Sequence, residues 1–137
     1  MNRIAAIALF VIATLMTASS ATAQSHVVEG NVPFNFTVNN TSLPAGNYTF
    51  SFDSLFPDML VVRDRTESVK ARGLGERGPV GSGKPGTLIF HRYGGQYFLS
   101  GVCFNSPSNG IFLPATKSER RAGKVSQKEE LAYVAVH

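Results

Sequence analysis

TLIFHRYGGQYFLSGVCF, residues 87–104, decides the fold. Two runs rich in β-branched and aromatic residues flank Gly94-Gly95, a pair that tolerates positive φ without a Cβ penalty, and this combination marks a two-residue β-hairpin. Closing the turn between Tyr93 and Gln96 sets the register. Leu88, Phe90 and Arg92 then share one face with Tyr97, Leu99, Gly101 and Cys103, while Ile89, His91 and Tyr93 share the other with Gln96, Phe98, Ser100 and Val102. The first face is the expected core side, with Arg92 opposite Tyr97 as a cation held over a ring beside the turn.

Upstream the same period of two recurs. Val32, Phe34, Phe36 and Val38 alternate with Pro33, Asn35, Thr37 and Asn39, which predicts a strand with one buried face. After the turn formers Asn39-Asn40-Thr41-Ser42 and Leu43-Pro44-Ala45-Gly46, Tyr48, Phe50 and Phe52 resume the alternation, so strands 32–38 and 48–52 are expected to form a hairpin with a long connection. MLVVRDR (59–65) and SVKARGL (68–74) read as two more strands joined at Thr66-Glu67. Residues 73–86 hold six glycines and two prolines, a composition that predicts a long mobile loop.

Downstream, Ser106 to Gly110 reads as a polar loop and Thr116 to Gln127 as a basic stretch with helical turn. Ser118, three residues before Arg121, lacks the acidic partner of a capping box. The end, LAYVAVH (131–137), is rich in β-branched residues and tyrosine and is assigned as a closing strand. Many short strands, Gly, Pro and Asn turns and no strong amphipathic helix predict an all-β fold, an antiparallel β-sandwich or small barrel built from hairpins.

The N-terminus has a different character. Arg3, the apolar run Ile4 to Met16 and the small residues ending Ala21-Thr22-Ala23 form a secretory signal peptide over residues 1–23, leaving one β-rich domain at 24–137. The apolar run is shorter than the roughly 20 residues a membrane-spanning helix needs, so no membrane span is expected after signal cleavage. The mature chain is therefore expected in the periplasm or outside the cell. Loss of Arg3 lowers the formal charge of +4 by one, a mild basic excess. Cys103 is the single cysteine, so no internal disulfide forms despite the oxidising destination, and it is assigned as a buried apolar residue.

Motifs that carry chemistry are few. GPVGSGKPG (78–86) imitates a phosphate-binding loop, but Pro85 stands where the Mg²⁺-binding hydroxyl belongs and the strand TLIF follows instead of a helix. Nucleotide binding is excluded, and no cofactor is expected. His26, His91 and His137 form no His-x-His or Cys-x-x-Cys pair, and Asp53, Asp58, Asp64 and Glu67 lack a calcium-loop pattern, so no metal site is assigned. The strongest surface candidates are Arg63, Arg65 and Arg72 with His91, Arg92, Tyr93 and Tyr97, a basic and aromatic set suited to acidic glycans. Export removes nucleic acid as a partner.

VPFNFTVNNTSLPAGNYTF (32–50), LIFHRYGGQYFLSGV (88–102) and LPATKSERR (113–121) together resemble a family of small exported bacterial proteins of unknown function. Its recurrent pattern is VPFxFxV, LPAGxY, LxFHRYGxxYFLxxV and LPxSxxER. The resemblance implies export and a small β-rich domain, and supplies no catalytic residue or ligand. The leading expectation is a non-enzymatic exported β domain that binds an envelope glycan or protein or serves a structural role there. A small-ligand carrier with an apolar barrel interior is the alternative, and a hydrolase using His91 with Tyr93 or Ser100 is third.

Overall fold

The computed structural model describes residues 26–80, 84–106 and 108–137. The expected signal peptide lies outside them. In chain order the strands are β1 (Val27–Val32), β2 (Phe36–Val38), β3 (Thr41–Leu43), β4 (Gly46–Phe52), β5 (Met59–Arg63), β6 (Val69–Leu74), β7 (Glu76–Gly78), β8 (Thr87–Tyr93), β9 (Gln96–Ser106), β10 (Asn109–Phe112) and β11 (Glu130–Ala135). A helix, α1 (Lys117–Ser126), precedes β11.

Two sheets form, in the orders β1-β4-β5-β6 and β11-β8-β9-β10-β7, and the β2–β3 hairpin joins the second through a parallel bridge between Thr37 and Phe98. One apolar core lies between them. Phe50, Leu60 and Val62 from the first sheet meet Leu88, Phe90, Val102, Phe104 and Ile111 from the second, all without solvent exposure. Phe36 of β2 packs edge-on against Tyr48 and Phe90, tying the extra hairpin into the same core. The C-terminal residue closes one side: His137 exchanges two backbone hydrogen bonds with Glu29 on the free edge of β1, at 2.7 and 3.0 Å.

The architecture is thus all-β and built about two sheets, as the alternation predicts, and the β8–β9 hairpin turns at Gly94-Gly95 with Tyr93 opposite Gln96. Gly94 has φ 61°, the conformation for which glycine is needed at the first turn position. The predicted register holds from the turn to Phe90 and Leu99, then slips between Ile89 and Phe90. Ser100 is the extra residue, its hydroxyl donating to the Ile89 carbonyl at 3.3 Å. That bulge reverses the facing beyond it. Val102 and Phe104 therefore enter the core, while Cys103 packs with Ile89 and Val80 in a small second cluster on the other side. Cys103 is fully buried, and burial pushes its thiol pKa up.

Three further expectations need correction. The run 32–38 is divided between the sheets, because Pro33 ends β1 and the Asn35 side chain accepts the Ala45 N–H at 3.0 Å. Strand 48–52 then pairs with β1, and 36–38 pairs with 41–43 across a tight turn in which Asn39 takes φ 55°. The long loop expected over 73–86 contains the end of β6 and all of β7, which pairs with β10, and Val80 is buried. Gly73 and Gly75 are there for space more than for flexibility: a Cβ on Gly73 would lie 3.0 Å from Leu113, and one on Gly75 would collide with the Phe112 carbonyl and lie 2.8 Å from Ile111. Residues 81–83 lie outside the described residues. The basic stretch 116–127 is a complete helix, and LAYVAVH supplies most of β11, paired with β8.

Candidate functional site

Helix α1 begins where the capping rules place it, two residues before the position read in the sequence. Thr116 is the N-cap, its hydroxyl accepting the Glu119 N–H at 3.3 Å, so Thr116-Lys117-Ser118-Glu119 is the Thr-x-x-Glu signal that marks a helix start. The frame Ser118 to Arg121 hid it. The Glu119 carboxylate turns to the sheet and becomes the one buried carboxylate among the described residues. It accepts from His91 Nδ1 at 2.8 Å and from the Tyr93 hydroxyl at 3.5 Å.

This cluster covers the outer face of the hairpin, so His91 and Tyr93 lie beneath a helix instead of facing solvent freely. Gly123 makes room for the Tyr93 ring, since a Cβ there would sit 3.2 Å from Cε1. The hydrogen bond that His91 donates to Glu119 raises the His91 pKa, and the more exposed Glu129, 3.5 Å from Nε2, adds to the effect. Burial and the neighbouring carboxylates push the Tyr93 phenol up to about 12.

A hydrolase needs a nucleophile beside the base. Ser100 is occupied by the Ile89 carbonyl at the bulge, and Tyr93 is committed to the same carboxylate as His91. Among the described residues no group of three His, Cys, Asp or Glu side chains converges on a metal position.

On the opposite face of the hairpin, Arg92 lies across from Tyr97 with its guanidinium carbon 5.5 Å from the ring centroid. Its Nε donates to the Gly94 carbonyl at 2.8 Å, and its other end approaches Glu130 at 3.5 Å. Tyr97 stacks on Phe34, centroid to centroid 3.7 Å. These contacts make the pair a brace for the turn.

Arg63, Arg65 and Arg72 belong to the other sheet and its β5–β6 turn. Arg63 donates to the Ser51 hydroxyl at 3.0 Å, and Arg72 stands opposite Val61, which is fully buried on the outer face of its sheet. Arg65 follows Asp64, whose carboxylate organises the turn by accepting from Thr66, Ser68 and Lys70. The Thr66 hydroxyl leads the interactions that hold Asp64 down to about 2. The seven candidate residues therefore divide among three places and form no common basic surface.

A cleft of about 410 Å³ lies at the hairpin tip, where the β2–β3 hairpin, the start of β9 and the first turn of α1 meet. Asn35, Thr37, Asn40, Ser42, Gln96 and Ser118 supply its polar wall, with Phe36, Tyr97 and Phe98 beneath. A second hollow of about 460 Å³ shares Gly95, Gln96 and Ser118 with the first and continues along α1 past Tyr93, Ala122 and Val125. Of the seven residues singled out from the sequence, Tyr97 lines the first hollow and Tyr93 the second. Asn35 and Asn40 were missed because they lie in connections, where asparagine is ordinary, and Gln96 because it reads as the first residue of a strand. No family model, curated protein or solved structure matches the chain.

Proposed function

We propose that the mature chain is an exported, non-enzymatic β domain that acts as a binding module in the bacterial envelope, with the cleft at the hairpin tip as its site. The observation that carries this reading is the cleft itself: three elements distant in sequence meet around an open hollow of about 410 Å³, walled by side chains that can donate and accept hydrogen bonds. Export rests on the N-terminal sequence and the resemblance given above. Among the described residues no helix is long and apolar enough to cross a membrane.

The carrier alternative draws less support, because Phe50, Phe90 and Phe104 occupy the space between the sheets. The hydrolase draws less again, since His91 lies between two glutamates and among the described residues no free nucleophile is placed beside it. Retention from envelope fractions on immobilised residues 24–137, compared with a Ser42→Trp variant that fills the cleft, tests the proposal. Selective retention by the native domain is expected. Equal retention by both, or none by either, with the fold verified by circular dichroism, would overturn the cleft as the site.

A further inference from the structure

We infer that the cleft at the hairpin tip takes a neutral, polyhydroxylated ligand, a glycan segment without carboxylate or sulfate groups. The inference rests on the binding-module reading and adds the chemical class.

Charge selects the class. The residues lining the first hollow carry no ionisable acid or base apart from the Tyr97 phenol. On the same hairpin face Arg92 is held by the Gly94 carbonyl and Glu130, Arg63, Arg65 and Arg72 belong to the opposite sheet and its β5–β6 turn, and Arg121 lines the adjoining hollow along α1 but not the first one. An acidic glycan would be desolvated there without a compensating cation, at a cost that uncharged hydroxyls do not incur.

Hydrogen-bond chemistry points the same way. Asn40 and Gln96 are exposed at the rim, and each amide offers an acceptor oxygen beside donor hydrogens, the pattern that vicinal hydroxyls satisfy in pairs. Asn35 is oriented by the bond from Ala45 to its carbonyl oxygen, which leaves its NH₂ group to donate. Phe36 and Phe98 underlie the polar wall but are nearly fully buried, so a ligand is met by the amide and hydroxyl groups above them. The hollow that continues along α1 past Tyr93 and Ala122 is also lined by Arg121, so the neutral class is assigned to the first hollow alone.

The test is an array of neutral oligosaccharides of glucose, mannose, galactose and N-acetylglucosamine, with oligogalacturonate as the acidic comparison, followed by NMR titration of ¹⁵N-labelled residues 24–137. Binding of a neutral oligosaccharide is expected, with shifts centred on Asn40, Ser42, Gln96 and Ser118. Asn40→Ala and Gln96→Ala, both at exposed positions that leave the core intact, should each weaken it by roughly 2- to 10-fold, the loss of one hydrogen bond. Cleft shifts induced only by oligogalacturonate, or an envelope protein retained through the cleft, would overturn the neutral class and leave the binding module standing. No oligosaccharide binding combined with no cleft-dependent retention would overturn both.

Discussion

His91 and Glu119 should be energetically coupled, and the coupling should weaken as pH rises. The pair joins β8 to α1 at 2.8 Å, with 29 % of the His91 side chain and 5 % of the Glu119 side chain exposed. A hydrogen bond to a charged group contributes about 1.5–3 kcal/mol, and breaking a well-buried ion pair costs about 3–5. Solvent reaches one edge of the imidazole, so the lower range applies, about 2 kcal/mol. His91 has a folded-state pKa above its ordinary 6.5, so its stabilisation is complete below that value and is lost as pH climbs through the raised one. The groups facing it are Glu119 and Glu129 on the α1 side and Tyr93 on its own strand, and the carboxylates favour the charged imidazolium. Neutral imidazole can still donate through Nδ1, so about half of the coupling should survive at alkaline pH. A double-mutant cycle of His91→Ala and Glu119→Gln, followed by thermal unfolding, measures this directly. For a domain of this size 1 kcal/mol corresponds to about 4 °C, so His91→Ala should lower Tm by about 8 °C near pH 5.5 and about 4 °C near pH 9. A coupling energy below about 0.5 kcal/mol near pH 5.5, or one equal at both pH values, would refute the assignment of this pair as the latch of α1.

Phe90→Ala should destabilise the domain by about 3–5 kcal/mol, read from denaturant midpoints, because Phe90 is fully buried and contacts both Phe34 and Phe36. Gly110→Ala should cost about 1–3 kcal/mol by overpacking, since a Cβ there would collide with Val80 and lie 2.7 Å from the Val102 carbonyl; a neutral result would show that Val80 does not pack on β10. Ultraviolet titration should find one tyrosine ionising near 12, lost in Tyr93→Phe and shifted downward in Glu119→Gln. Cys103 should resist alkylation in the native state and react fully in denaturant, and rapid native labelling would contradict its burial between Val80 and Ile89.

Strand identity was legible where one short-range rule dominated. Gly94-Gly95 could only serve a tight turn between the two apolar runs, and the Tyr93–Gln96 closure followed. What lay beyond the rule was tertiary. Nothing local marks Ser100 as a bulge: its place is set by the Ile89 carbonyl on β8 and by the Leu113 N–H donating to its own carbonyl at 2.8 Å, and together these turn Val102 into the core. Glycine content misled in 73–86 for a related reason. Glycine marks backbone freedom in a turn, but Gly75 and Gly110 are instead places where another chain segment comes too close for a Cβ.

The candidate site illustrates why function was harder to read than fold. Alternation along a strand tells which side chains share a face, and on that basis Arg92 and Tyr97 were correctly placed together. It does not tell what covers the face. His91 and Tyr93 looked available because their cover is a helix whose Thr116-x-x-Glu119 start was readable but whose buried carboxylate was not: glutamate is seldom buried, and its partner lies 28 residues away. The cleft is further still from local rules. Asn40, Gln96 and Ser118 come from three segments, the first two brought together by the single parallel bridge between Thr37 and Phe98 and the third by the Glu119–His91 contact, pairings that no turn or period announces. Sequence patterns therefore located β2 and β9 but read β3 as part of a turn, and the uncharged chemistry of the rim emerges only once the β2–β3 hairpin is laid beside β9 and α1 is latched across the tip.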